Sequence, residues 1–147
     1  MGPLTLPATG PVYVDANSVI YSVELHAVYA PLVAPLWAAA GAGALEVVSS
    51  ELTLMEALTG PLRRGDAVLF KAYERALLHA EVRLLSIDQH TLREAARLRA
   101  TTRLRTPDAI HAATASLAGC TLFVTNDGSF RGLAGVPVVV LDDLRMP

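Results

Sequence analysis

Short apolar runs alternating with helical segments constrain this chain more than any other feature. Five runs read as strands, over Val12–Val14, Leu45–Val48, Val82–Leu85, Thr121–Val124 and Val136–Leu141. They are short and mostly β-branched or aromatic, which suits strands buried in a sheet. A strand followed by a helix, again and again, calls for a parallel sheet with helices on both faces. Right-handed crossovers and a central first strand give an expected order of 3-2-1-4-5. The fold class is therefore α/β, a three-layer α/β/α arrangement on a parallel sheet of about five strands. One domain is expected over residues 1–147, with residues 1–11 as a flexible lead.

Cap and breaker residues place the helices between the strands. Asn17-Ser18 can cap a helix to about His26, and Pro31 can open one that ends at Gly41. Ser49-Ser50 precedes a helix whose apolar face is read as Leu52, Met55 and Leu58, with Gly60-Pro61 as its stop. Asp66 starts a helix to about Ala80, with Val68-Leu69, Ala72-Tyr73 and Ala76-Leu77 at helical spacing. Asp88 caps Gln89–Ala100, and Thr106-Pro107-Asp108 is a strong start for a helix to about Leu117.

The chain has 147 residues, 52% hydrophobic and 18% charged, which fits a globular protein with one core. A net charge of −2 excludes a strongly basic nucleic-acid binder, although eleven of the twelve basic residues are Arg. The one cysteine, Cys120, lies in an apolar context and is expected to be buried and inert. Met1 to Pro11 contains no Lys or Arg and so lacks a secretory n-region, which points to a cytoplasmic protein. Ala27 to Leu45 is uncharged for nineteen residues, but Pro31, Pro35, Gly41 and Gly43 break it. It is expected to form a buried or partner-facing helix and no membrane span.

Asp15 ends the first strand, at the sheet edge where open α/β sheets keep their ligands. Asp127 follows the fourth strand in the same way. With strands 1 and 4 as neighbours, the two carboxylates face each other. Asp108 lies in the first turn of the helix leading to strand 4, and Glu56 lies one to two turns into the helix after strand 2. Each acid has a plainer reading, as a turn former, a helix cap or a first-turn acid. Thr53 to Glu56 also matches a capping box. Joint placement at one edge favours a common site. Converging carboxylates repel one another unless protonated or bound to metal. With no Cys or His cluster present, oxygen ligands point to Mg²⁺ or Mn²⁺ and to phosphodiester hydrolysis. Glu51 competes with Glu56, and His111 orients Asp108, contacts phosphate or is a satisfied buried histidine.

These residues carry a family resemblance. Val14-Asp15-Ala16-Asn17, the run Ser50 to Leu58, the run Arg105 to Ala115, and Phe123-Val124-Thr125-Asn126-Asp127 resemble the four motifs of PIN-domain nucleases, and among them the VapC-like toxins of type II toxin–antitoxin pairs. The resemblance implies a PIN-like fold and Mg²⁺- or Mn²⁺-dependent endoribonuclease activity. The catalytic acids would be Asp15, Glu56, Asp108 and Asp127, with Asp15, Asp108 and Asp127 on the metal. Asn17, Thr125 and Asn126 would support them. A homodimer and a small antitoxin partner are also implied. Tyr29, Leu32, Leu36 and Trp37 are candidates for the partner surface. Among Arg93, Arg97, Arg99, Arg103 and Arg105, RNA phosphate contacts are assigned to Arg97, Arg103 and Arg105.

Other functions fit less well. A receiver-like regulatory module wants a Lys after its last strand and paired acids early, whereas the single Lys is Lys71 and Ala16 follows Asp15. A PIN-fold RNA-maturation nuclease and a non-catalytic RNA-binding module remain as alternatives.

Overall fold

A computed structural model describes residues 2–145. One parallel sheet contains β1 (Pro11–Val14), β2 (Glu46–Ser50), β3 (Val82–Leu85), β4 (Leu122–Thr125) and β5 (Val138–Val140), in the order β3-β2-β1-β4-β5. This is the order expected from the sequence. Six helices fill the connections: α1 (Ala16–Val23), α2 (Tyr29–Gly41), α3 (Leu52–Arg64), α4 (Ala67–Leu78), α5 (Gln89–Thr101) and α6 (Thr106–Leu117).

Strand alternation divides the core between two faces. Val12, Val14, Val47, Leu122 and Val124 point into a cluster with Val33, Leu36, Tyr73 and Leu77, under α1 to α4. Tyr13, Val48 and Phe123 point the other way, onto Ala95, Leu98, Ala109 and Ala112 of α5 and α6. The central strands are apolar on both faces because both faces are covered.

Several boundaries differ from those read in the sequence. Asp15, and not Asn17-Ser18, is the N-cap residue of α1, which stops at Val23. Gly60-Pro61 lies inside α3, with Pro61 buried. The helix continues to Gly65, whose φ of 64° lets the Asp66 amide return to the Pro61 carbonyl at 2.9 Å. The buried face of α3 is Thr53, Ala57 and Pro61, one turn apart, so Met55 is 61% exposed. Val68 is likewise exposed on α4, which buries Tyr73 and Leu77. The caps at Asp66 and Asp88 are as expected, each accepting from an amide three residues on.

The lead, expected to be flexible, is attached to the core. Leu4 is buried and Leu6 packs against the same cluster. Thr121 donates through Oγ1 to the Thr9 carbonyl at 2.8 Å. Gly10 has φ of 90° there, and a Cβ would meet Thr121 Cγ2 at 2.4 Å. Pro11 already belongs to β1. Cys120 is buried, and burial pushes its thiol up to about 12, well above the reactive range. Among the described residues no helix is long and apolar enough to cross a membrane.

Candidate active site

Parallel pairing of β1 and β4 sets Val14 beside Val124, so the chain ends beyond them also meet. Thr125 donates through Oγ1 to Asp15 Oδ2 at 2.5 Å, and the Asp127 amide donates to Thr125 Oγ1 at 3.0 Å. A hydroxyl has one proton, so this chain has one direction, from amide to hydroxyl to carboxylate. Thr125 thereby ties together the two strand ends that carry acids. Asp127 Oδ1 accepts from the Ser129 amide at 2.8 Å, which fixes the turn after β4.

Asp15, Asn17, Glu56, Asp108, His111 and Asp127 line one cleft at this edge, together with Ala16 and Phe130. The four acids come from a strand end, two helices and a turn, as their sequence positions implied. Glu56 enters the cleft, whereas Glu51 lies outside it and is exposed at the start of α3. Burial raises the Asp15 carboxyl from 3.8 to about 6, opposed by the hydrogen bond from the Thr125 hydroxyl. Burial and the neighbouring Asp127 also raise Asp108.

His111 joins the third wall to the second. Its Nε2 lies 2.5 Å from Glu56 Oε1, and its Nδ1 lies 2.5 Å from the Tyr13 hydroxyl. The Ser50 amide donates to the same hydroxyl at 3.1 Å. Burial holds the Tyr13 phenol well above its ordinary range, so it stays protonated. His111 is thus both buried and hydrogen-bonded to a site acid, although that acid is Glu56 and not Asp108. Tyr13 reads in the sequence only as an aromatic strand residue. Its hydroxyl shares the α6 side of the sheet, which strand alternation from buried Val12 and Val14 would have shown.

The cleft suits a hard divalent cation in its donor chemistry. Asp15 Oδ1 is buried with no hydrogen-bond partner, an expensive condition for a carboxylate oxygen unless a cation or proton reaches it. The surrounding acid donors are carboxylate oxygens. Among the described residues, no three acidic, His or Cys side chains form a tight ready-made cluster. Mg²⁺ tolerates that spacing, because it is usually held by one or two carboxylates with waters completing its shell.

Other expected residues fall elsewhere. Asn126 turns away from the cleft, donating to the Tyr21 hydroxyl at 3.2 Å and accepting from the Asp142 amide at 2.9 Å. Arg97 folds back on Glu94 of its own helix at 2.5 Å. Arg105 directly precedes α6 and its charge acts on Asp108. Arg103 lines a separate cavity with Arg131 and Ser129. On α2, Leu36 is fully buried, and Tyr29 and Leu32 pack partly against the core. An open, mostly apolar cavity beside α2 is lined by Leu25, Ala27, Ala30, Pro31, Ala34 and the partly buried Trp37. Trp37 donates to Ser22 Oγ at 2.6 Å and walls a second apolar cavity with Val19, Val23 and Ala76.

The PIN domain family model matches residues 12–136, the span that contains all four acids. The chain belongs to the PIN domain family. This PIN domain is similar in structure to a chain of a toxin–antitoxin complex from Klebsiella pneumoniae, with a TM-score of 0.70 and 24% identity, covering 88% of this chain and 97% of the other. A chain of VapBC2 from Rickettsia felis, bound to a DNA fragment from their promoter, gives a TM-score of 0.70 at 14% identity over 88% and 98% of the two chains. A chain of DNA-bound VapBC from Salmonella typhimurium gives 0.69 at 18% identity over 90% and 99%. At these identities the likeness speaks to the fold. A comparison of the sequence with curated proteins finds no match.

Proposed function

We propose that this PIN domain is an Mg²⁺- or Mn²⁺-dependent endoribonuclease and the toxin of a toxin–antitoxin pair. The observation that carries the reading is the shared cleft of Asp15, Glu56, Asp108 and Asp127, with Asp15 Oδ1 buried and without a partner. Asp15, Asp108 and Asp127 would hold the cation. When bound, it supplies water activation and stabilises charge on the phosphate under attack. Thr125 keeps Asp15 and the Asp127 backbone in register. Glu56 accepts a hydrogen bond through Oε1, which leaves its other oxygen to take a proton from the attacking water. Asn17, exposed at the cleft's edge, is placed to contact the RNA strand. Arg103 and Arg105 would attract its phosphates, the charge that an acidic cleft lacks.

The toxin role is supported by fold likeness to chains of toxin–antitoxin complexes. A small antitoxin would cover the apolar wall around Trp37. A homodimer and a cytoplasmic location belong to the same reading. The test is cleavage of single-stranded RNA by the full chain and by Asp108→Asn. The account expects the variant to remain folded and to lose cleavage. An equally active variant refutes it.

A further inference from the structure

Glu56 is the one acid of the cleft held by a side chain from another helix, His111 of α6. His111 is 3% exposed and lies on α6 among buried Ala109, Ala112, Ala113 and Ala115; the other buried polar residue there, Thr114, bonds to the Ile110 carbonyl of its own helix. The hydrogen bonds of His111 therefore decide its tautomer and its orientation.

The proton positions follow from the partners. The Ser50 amide donates to the Tyr13 oxygen at 3.1 Å. The phenol's own proton then points to His111 Nδ1, 2.5 Å away. An Nδ1 that accepts leaves Nε2 to carry the ring N–H, and Nε2 faces Glu56 Oε1 at 2.5 Å. Every donor in the row has an acceptor, and the row ends on a carboxylate. The opposite tautomer would take away the phenol proton's acceptor in the row and set a bare Nε2 against a carboxylate. The row also spans three elements: Tyr13 is two residues before Asp15 on β1, and His111 is three after Asp108 on α6.

We infer that Tyr13 and His111 are positioning residues for the reaction: Tyr13 locks His111 in its Nε2–H form, and His111 donates to Glu56 Oε1 and holds that carboxyl facing the cleft. The kinetic part rests on the nuclease reading above. The tautomer does not, and it is read in the protein itself. Residues that orient a site group from behind typically alter metal affinity or activity by about 10–100-fold when replaced.

The test joins ¹⁵N NMR of the histidine rings with RNA cleavage by the full chain. In the wild type, His111 shows the Nε2–H tautomer. Tyr13→Phe removes the hydroxyl that fixes Nδ1 as an acceptor, so the Nε2–H preference weakens to what Glu56 alone imposes. Its kcat falls about 10-fold, with KM for RNA and Mn²⁺ affinity unchanged, because the metal would be held by other carboxylates. His111→Gln, which keeps an N–H donor, retains more kcat than His111→Ala. An Nδ1–H ring in the wild type overturns the inference. So does full kcat in folded Tyr13→Phe and His111→Ala, or a loss confined to stability. A wild type that shows the Nε2–H ring but cleaves no RNA supports the lock and refutes the nuclease reading instead.

Discussion

Replacing Asp15 with Asn should stabilise the metal-free protein progressively as pH rises. Asp15 is 6% exposed, and its carboxyl is raised from 3.8 to about 6. At neutral pH and above, that displacement amounts to about 3 kcal/mol of destabilisation. The sign follows from linkage. The folded state binds this proton more tightly than the unfolded chain, so stability is lost as pH rises from about 4 to about 6 and is flat above. Asn carries no charge, so it removes this loss. Its oxygen can still accept from Thr125, while its NH₂ occupies the place of the partnerless Oδ1 and lacks an acceptor. An unsatisfied buried donor costs about 1–3 kcal/mol. That cost does not vary with pH, so the pH dependence is the diagnostic. Urea unfolding in EDTA should show Asp15→Asn gaining about 2 kcal/mol on the wild type between about pH 4.5 and about pH 8. A difference that stays constant with pH, or a variant several kcal/mol less stable at both, would make Asp15 a structural residue and refute the reasoning.

Two further perturbations address the partners. Replacing Arg103 and Arg105 with Ala should weaken RNA binding and reduce the slope of log K against log salt by about 1 for each phosphate no longer neutralised; an unchanged slope removes both from the RNA path. Antitoxin binding should shift Trp37 fluorescence and protect it from quenchers, since Trp37 walls both apolar cavities beside α2. Unchanged emission and accessibility on formation of the complex would place the antitoxin elsewhere.

The parallel sheet was legible because strands alternate with helices along the chain, and its order follows once the first strand is placed at the centre. The meeting of Asp15 and Asp127 followed from that order. Glu56 lies deeper in α3 than its competitor Glu51, and it is Glu56 that reaches the cleft. The facing of α2 was not legible. Tyr29 to Gly41 contains no charged residue, so no polar face marks which residues turn inward, and Leu36 was assigned to the surface it lies beneath. Gly60-Pro61 reads locally as a stop, but burial of Pro61 outweighs the lost amide. The role of Tyr13 was hidden by distance: its partner His111 is 98 positions away, and only packing of α6 on the sheet brings them together.

Metal dependence is the central claim, and chelation tests it most directly. The purified full chain is incubated with labelled single-stranded RNA in Mg²⁺ or Mn²⁺, then in EDTA, then with the cation restored in excess. The account predicts cleavage with the cation, none in EDTA, and recovery on restoration, with the fold intact throughout by circular dichroism. Cleavage that continues undiminished in EDTA would contradict it.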